Sequence, residues 1–576
     1  MKSIALTFMK WTGIVLVVLL VFIWFWVILP FWGVYPFNFQ RYKERTPIPS
    51  WVLECWVWED DQNTAEATVE LVDGYIEHDF PVRTILIDSP WSLRYNDFVV
   101  DENRFPNPSQ FFKYFEDRGI RVVLWMTCMV NSENPDTAIR DSTDFYREAK
   151  SKGYLLGNGV QIKWWKGRGG FVDYTNPQAM QWWRSLQNQV LDFGIDGWKL
   201  DGSATLLRTS LGSLPMFYVR SYSGIMTPRR YMNLYYGEEL NYGRTRNPEF
   251  ATLSRSIDSP TPWAHPEGFA PLSASTVNWV GDNKHEWDYE KKGLERAIHC
   301  ILRSAKLGYC VIGSDVAGYH GAEPIPADLY IRWAQFSTFC GLFLNGGHGE
   351  RRMWKRSERE FEIIRRYSWL HTELLPYMYS YVAQWSNGGE PLMRPMKQGK
   401  YQYMFGDWLL IAPIYQKLNQ RVVELPSGDW RWWFDDTKVI HGKQSITKTY
   451  NMDEYPVFIK DGAIIPMYIQ RDYTGIGSKD WEGYLVLNIY PAGNSSFTVY
   501  YPDYSGTLTV DVSKTSELKV SLNGVIKPCI LRILLQYEPK EVLRDGEPYK
   551  EYTYHSEQQR LIIKDSSPAV NSYTIR

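Results

Sequence analysis

Residues 178–201 read QAMQWWRSLQNQVLDFGIDGWKLD, and the change of period inside this stretch decides the fold. Gln178 to Phe193 carries its apolar residues at helical spacing, whereas Ile195 to Asp201 is a short apolar run that ends on an acid. A helix leading into a buried strand is half of a parallel β/α repeat. Comparable strands are expected on both sides, at Val52 to Trp58, Arg83 to Asp88, Ile120 to Thr127, Thr252 to Ser256, Tyr309 to Asp315 and near Leu342 to Asn345. Further helical stretches stand at Glu286 to Leu307, Pro326 to Cys340 and Glu358 to Val382. The expected fold is therefore of the α/β class, a (β/α)8 TIM barrel over residues 47–398. Asn131 to Phe171 lacks the rhythm and reads as an insertion after the third strand.

Beyond about Gly399 the pattern becomes short strands separated by turn residues, as in Trp408-Leu-Leu-Ile-Ala-Pro-Ile and Gln420-Arg-Val-Val-Glu-Leu-Pro. This spacing predicts two antiparallel β-sandwich domains, 399–472 and 473–576.

Ahead of the barrel, Trp11 to Val34 runs about 24 residues without a charge, more than the roughly 20 needed to span a bilayer. No small-residue cleavage site follows it, so residues 1–46 are expected to be an uncleaved membrane anchor and linker. The expected product is a single-pass membrane protein with its catalytic part outside the cytoplasm. The acceptor pattern Asn494-Ser495-Ser496 is compatible with that side.

A formal net charge of −2 on 576 residues leaves no basic surface of the kind that nucleic-acid binders carry. The six cysteines show no CxxC pair, and no His or carboxylate cluster has metal-ligand spacing, so neither metal nor cofactor is expected. The 26 Trp and 39 Tyr suit stacking on sugar faces as well as large cores.

Barrel enzymes carry their chemistry where strands end, and three expected strands end on aspartate: Asp88, Asp201 and Asp315. A single such residue is as often a helix cap or turn former; three at one barrel mouth weaken that reading. Side chains alternate along a strand, so Lys199 and Asp201 share a face, and a cation there favours the ionised carboxylate. An anionic oxygen is what a nucleophile at an anomeric carbon requires.

The motifs Gly197-Trp-Lys-Leu-Asp201, Leu253-Ser-Arg-Ser256, Asn278-Trp-Val-Gly-Asp-Asn283, Gly313-Ser-Asp-Val-Ala-Gly-Tyr319 and Gly406-Asp-Trp-Leu-Leu-Ile-Ala-Pro413 occur in one order. Together with Tyr455-Pro-Val-Phe-Ile-Lys-Asp-Gly-Ala-Ile-Ile-Pro466, they resemble glycoside hydrolase family 31 over residues 50 to about 470. The resemblance implies a retaining α-glycosidase in which Asp201 is the nucleophile and Asp282 the general acid/base, the latter partly buried to raise its pKa. It also implies sugar contacts from Asp88, Lys199, Arg255, Asp315 and His348. Trp279 is a candidate ring contact, with Trp91, Trp125, Trp164 and Trp198 as further ones.

Members of the family usually carry a β-sandwich ahead of the barrel, which is not expected here, and an acid soon after the nucleophile, where this chain has Asp201-Gly-Ser-Ala. The segment between Arg255 and Asp282 is also longer, with Pro260, Pro262, Pro266 and Pro271 suggesting an ordered loop. The expected substrate is an oligosaccharide or glycoconjugate with a terminal α-linked glucose, galactose or xylose. The rival expectation is a catalytically silent, membrane-tethered carbohydrate-binding or scaffold protein.

Overall fold

The computed structural model describes residues 2–25, 43–203, 218–258, 270–566 and 572–576. By backbone proximity the chain falls into two compact units. One comprises Met1–Thr46, Ser89–Lys113 and Leu124–Ser275, the other Pro47–Asp88, Tyr114–Val123 and Thr276–Arg576.

Eight strands form one sheet: β1 Cys55–Val57, β2 Thr84–Ile87, β3 Arg121–Thr127, β4 Gly197–Asp201, β5 Ala251–Arg255, β6 Val277–Trp279, β7 Ile312–Gly313 and β8 Phe343–Asn345. They are hydrogen-bonded in chain order, with β8 returning beside β1. A parallel bridge from Asp315 to Leu344 joins the residues after β7 to β8, closing the ring that a barrel requires. Burial along these strands is continuous, as in β2 and β4, where every residue is buried. That is the mark of parallel strands covered on both faces. The strand β6 was not among the expected ones.

The helices form where caps and breakers dictate. Pro177–Leu191 starts on Asn176, whose side chain accepts from the Gln178 and Ala179 N–H groups, with proline in the first turn. The stretch expected as one helix from Glu358 to Val382 is two, Glu358–Glu373 and Leu375–Ser386. Pro376 supplies no N–H to the preceding turn and so begins a new helix. The helix expected from Glu286 starts only at Leu294, because residues 286–293 fold back as a turn in which Leu294 N donates to Glu286 O at 2.8 Å.

The insertion has more order than its sequence rhythm suggests. Met129–Glu133, Gly167–Phe171 and Ile162–Trp164 form a three-stranded antiparallel sheet, with the helix Thr143–Ser151 against its first strand. Its glycines are steric: a Cβ on Gly167 would overlap the Glu133 carbonyl of the neighbouring strand.

The C-terminal part consists mainly of antiparallel sheets of six, five and six strands, plus a two-stranded ribbon, Gln420–Leu425 with Gln444–Thr449. Leu410, Ala412, Val423, Leu425, Trp430 and Phe458 form the first core here. Ile464–Met467 lies inside the first expected sandwich but pairs with Leu485–Ile489 of the second. The buried Arg332, on helix Ala327–Thr338, donates to the carbonyls of Glu454, Tyr450 and Asn451 and to Asn419 Oδ1, tying this helix to the first sandwich.

The N-terminal helix is Lys2–Ile23. Among the described residues no helix is long and apolar enough to cross a membrane. Lys2 and Lys10 occupy the first part of this helix, so only Trp11–Ile23 of the uncharged run lies in it. Residues 26–34 of the expected anchor lie outside the described residues.

Candidate active site

Asp201 is placed by register. Strands β4 and β5 pair in parallel with Leu253 opposite Lys199, so two residues further on Arg255 comes opposite Asp201. Arg255 Nε donates to Asp201 Oδ1 at 3.0 Å and Nη2 to Oδ2 at 3.5 Å. The Gly202 N–H donates to Oδ1 at 2.9 Å, and the Trp125 indole reaches Oδ2 at 3.5 Å. Tyr235 OH fixes the backbone, donating to the Asp201 carbonyl at 3.1 Å.

Burial alone would raise the Asp201 pKa. The charge and hydrogen bond of Arg255, then the charge of Lys199 and the Gly202 N–H, outweigh it and hold the carboxyl below its ordinary value. Gly202 has φ of +78°, and a Cβ there would overlap the Thr127 hydroxyl, so glycine after the acid is required by both backbone and space. Arg255 also donates to Asp258 at 3.2 Å. Pro260, Pro262 and Pro266 lie outside the described residues; Pro271 precedes a short 3₁₀ turn at Leu272–Ala274.

Trp125, on β3, is the aromatic residue that reaches this carboxylate, and the insertion contributes Trp164 against it. Trp125 and Trp164 are stacked at 6.4 Å, and Tyr95 meets both edge-on. Trp125 and Trp164 are buried, as are Trp91 and Trp198. Trp165, which the sequence reading passed over, is 51% exposed and sits edge-on to Trp164 at 4.9 Å. Its signal was its place in a Trp-Trp-Lys-Gly turn between two strands.

In the other unit, Asp88 and Asp315 are buried where β2 and β7 end, and the Asn63 amide donates to the Asp88 carbonyl. Asp282 follows β6 through Gly281, whose φ is +79°, and is exposed rather than partly buried as expected. Trp279 is buried, 1% exposed.

His348 is held from both ring nitrogens. Nδ1 lies 2.7 Å from Asp61 Oδ1 and Nε2 3.4 Å from Asp60 Oδ2. Asp61 also accepts from the Gly349 N–H at 2.8 Å, and Tyr319 OH donates to Asp60 at 2.6 Å. Burial raises the Asp61 pKa, but the His348 and Gly349 hydrogen bonds and the charges of His348 and Arg351 bring it below the ordinary value. Neither Asp60 nor Asp61 was singled out from sequence, although the acidic run Glu59-Asp60-Asp61 shortly after a barrel strand is a signal of the same kind as the one that marked Asp201.

Residues 46–381 match the glycosyl hydrolases family 31 TIM-barrel domain, and residues 382–465 match the glycosyl hydrolase family 31 C-terminal domain. The chain belongs to glycoside hydrolase family 31. Its similar curated relatives include the α-xylosidase XylQ of Lactiplantibacillus pentosus, 26% identical over 82% of this chain and 62% of that protein. α-Glucosidase 2 of Bacillus thermoamyloliquefaciens is 25% identical over 80% of this chain and 58% of its own length. The chain thus spans about three-fifths of the length of these two relatives. Among solved structures, the family 31 dextranase of Flavobacterium johnsoniae superposes with a TM-score of 0.79 at 22% identity, covering 93% of this chain and 71% of that one. That likeness is one of fold.

Proposed function

We propose that the protein is a retaining α-glycosidase that cleaves terminal α-linked sugars, glucosides, galactosides or xylosides, from an oligosaccharide or glycoconjugate by double displacement. The observation that carries this reading is the Asp201 carboxylate, kept ionised and oriented by Arg255 where a parallel barrel strand ends. Asp201 attacks the anomeric carbon, and the aglycone leaves with a proton from Asp282. Asp282 then takes a proton from water as water opens the glycosyl-enzyme ester. Lys199, Arg255, Asp88, Asp315 and His348 offer charged groups that can pair with sugar hydroxyls. Relatives named for xylosides and glucosides support the bond type and leave the sugar to be assigned by assay.

Purified protein assayed on aryl α-glycosides, with the first-formed anomer followed by proton NMR, tests the proposal. The α-anomer appearing first is expected. The β-anomer first, or full turnover by Asp201→Ala, overturns the mechanism. Asp282→Ala should retain the first step only on aryl leaving groups that need no proton.

For localisation we propose membrane attachment through the Trp11–Val34 run with the barrel outside the cytoplasm, on the strength of its sequence alone. Release of the full chain from membranes by alkaline carbonate would refute it.

A further inference from the structure

Away from the carboxylates proposed to act on the glycosidic bond, the C-terminal sheets enclose a polar cleft of about 790 Å³. Its floor comes from the five-stranded sheet. Arg532 lies opposite Ile562 and Leu534 opposite Arg560 in one strand pair, and His555 lies opposite Arg560 in the next. Strand alternation puts Arg532, Arg560 and His555 on one face. The two guanidinium groups on this sheet face repel unless counter-charges are supplied.

Three of the four carboxylates that line the cleft are already engaged, and the fourth, the exposed Glu557, makes no ion pair with either arginine among the described residues. Asp436 pairs with Arg560 and accepts from Tyr490 OH at 2.7 Å. Asp435 is taken by Lys438 at 2.6 Å and by the Thr437 hydroxyl, and Asp472 accepts from the Lys479 N–H at 2.9 Å. Arg532 donates to Asn488 Oδ1 at 3.3 Å and makes no ion pair with a carboxylate among the described residues. Burial and the neighbouring Arg560 charge push its pKa below the usual arginine value, outweighing the nearby Tyr490 and Asp436. Arg366, on the opposite wall, likewise has no carboxylate in ion-pair range among the described residues; its guanidinium lies 5.6 Å from the Phe434 ring centre. Phe434, Trp433 and Trp481 supply ring surface along the same cleft. A half-buried guanidinium without a counter-ion is costly, and a forked cation matches a planar or tetrahedral oxyanion.

We infer that this cleft is a non-catalytic binding site for an acidic saccharide, its carboxylate or sulfate taken by Arg532 and Arg366 and its ring lying along Phe434 and Trp481. The choice of a saccharide rests on the function proposed above; the anion preference rests on the arginines.

The experiment is calorimetric titration of the full chain carrying Asp201→Ala, so that no probe is turned over. The probes are a galacturonic acid trisaccharide, a sulfated trisaccharide and neutral isomaltotriose. Saturable binding of one or both acidic probes is expected, and which of them binds assigns the carboxylate or the sulfate. Adding Arg366→Ala or Trp481→Ala should weaken that binding roughly tenfold or more, the loss of one charge-assisted contact. Arg532→Met should do the same, and Arg366→Ala keeps the test valid should the buried position fail to fold. The inference is overturned if neither acidic probe binds, if the neutral probe binds equally well at the cleft, or if the Arg366 and Trp481 variants bind unchanged. Turnover of aryl α-glycosides by the parent chain reports separately on the proposed function. Binding without turnover removes that function and leaves the site; turnover without binding does the reverse.

Discussion

Replacing Arg255 by methionine tests how the Asp201 carboxylate is kept ionised. Arg255 Nε stands 3.0 Å from Oδ1, and both side chains are 12% exposed. At an effective dielectric constant of about 20, opposite unit charges at that distance attract by about 5.5 kcal/mol. Desolvation offsets part of this, and truncating one partner of a buried pair costs about 3–5 kcal/mol. Because Lys199 and the Gly202 N–H remain, the expected loss of unfolding free energy at pH 7 is at the lower end, about 3 kcal/mol. The folded pKa of Asp201 lies below its unfolded value. Its contribution is therefore present above the unfolded pKa and is lost as pH falls through the folded one. In Arg255→Met less positive charge opposes burial, so the pKa rises and the acid limb of kcat/KM moves to higher pH. Urea unfolding at pH 7, with a pH–rate profile on an aryl α-glycoside, measures both effects. A variant within about 0.5 kcal/mol of the parent, the scale of an ordinary surface substitution, with an unmoved acid limb, would refute the reasoning. Arg255→Lys keeps the charge but not the fork and should fall between.

Gly202→Ala should destabilise the fold by more than about 1 kcal/mol and lower kcat, since φ of +78° and the Thr127 hydroxyl both oppose a methyl. Thr127→Ala added to it should restore part of the stability in thermal melts, and no restoration would remove the steric account. Burial raises the Glu373 pKa to about 7, against its hydrogen bonds from the Gln470 and Arg471 N–H groups. The folded pKa is the higher one, so its contribution is full below about 4.5 and lost as pH rises through about 7, a change of about 3 kcal/mol. Glu373→Gln should flatten that slope in denaturant titrations at pH 5 and pH 8; an unchanged slope assigns it to other groups. Asp61→Asn removes the carboxylate 2.7 Å from His348 Nδ1 and should lower kcat/KM about tenfold on every substrate. Wild-type kinetics would detach His348 from catalysis.

The parallel strands were legible because they are buried on both faces: Thr84–Ile87 and Gly197–Asp201 are short, largely apolar runs, with Asp88 directly after the first and Asp201 ending the second. Strand β6 and the insertion's three-stranded sheet were not legible, the second because its glycines answer a steric demand from another strand. Within the candidate site, the Lys199 and Asp201 pairing follows from strand alternation, whereas the Arg255 contact needs the register between β4 and β5, which no single strand encodes. The acidic clamp on His348 joins residues 287 positions apart and is visible only in three dimensions.

The two carboxylates proposed to act in turn have opposite requirements, and their surroundings differ accordingly. A nucleophile must be ionised before the sugar arrives. Asp201 has this from Arg255, Lys199 and the Gly202 N–H, all of which are in place in the folded chain and overcome its burial. A proton donor needs water removed from around it. Asp282 stands exposed beyond the Gly281 turn, so its desolvation has to come with the substrate. On the roles proposed above, protonation of the leaving oxygen is expected to depend on how well the aglycone covers Asp282. Under that proposal, binding energy from the aglycone is expected to be spent on the chemical step, raising kcat rather than lowering KM. Such an arrangement makes the aglycone as much a determinant of turnover as the sugar that Asp201 attacks.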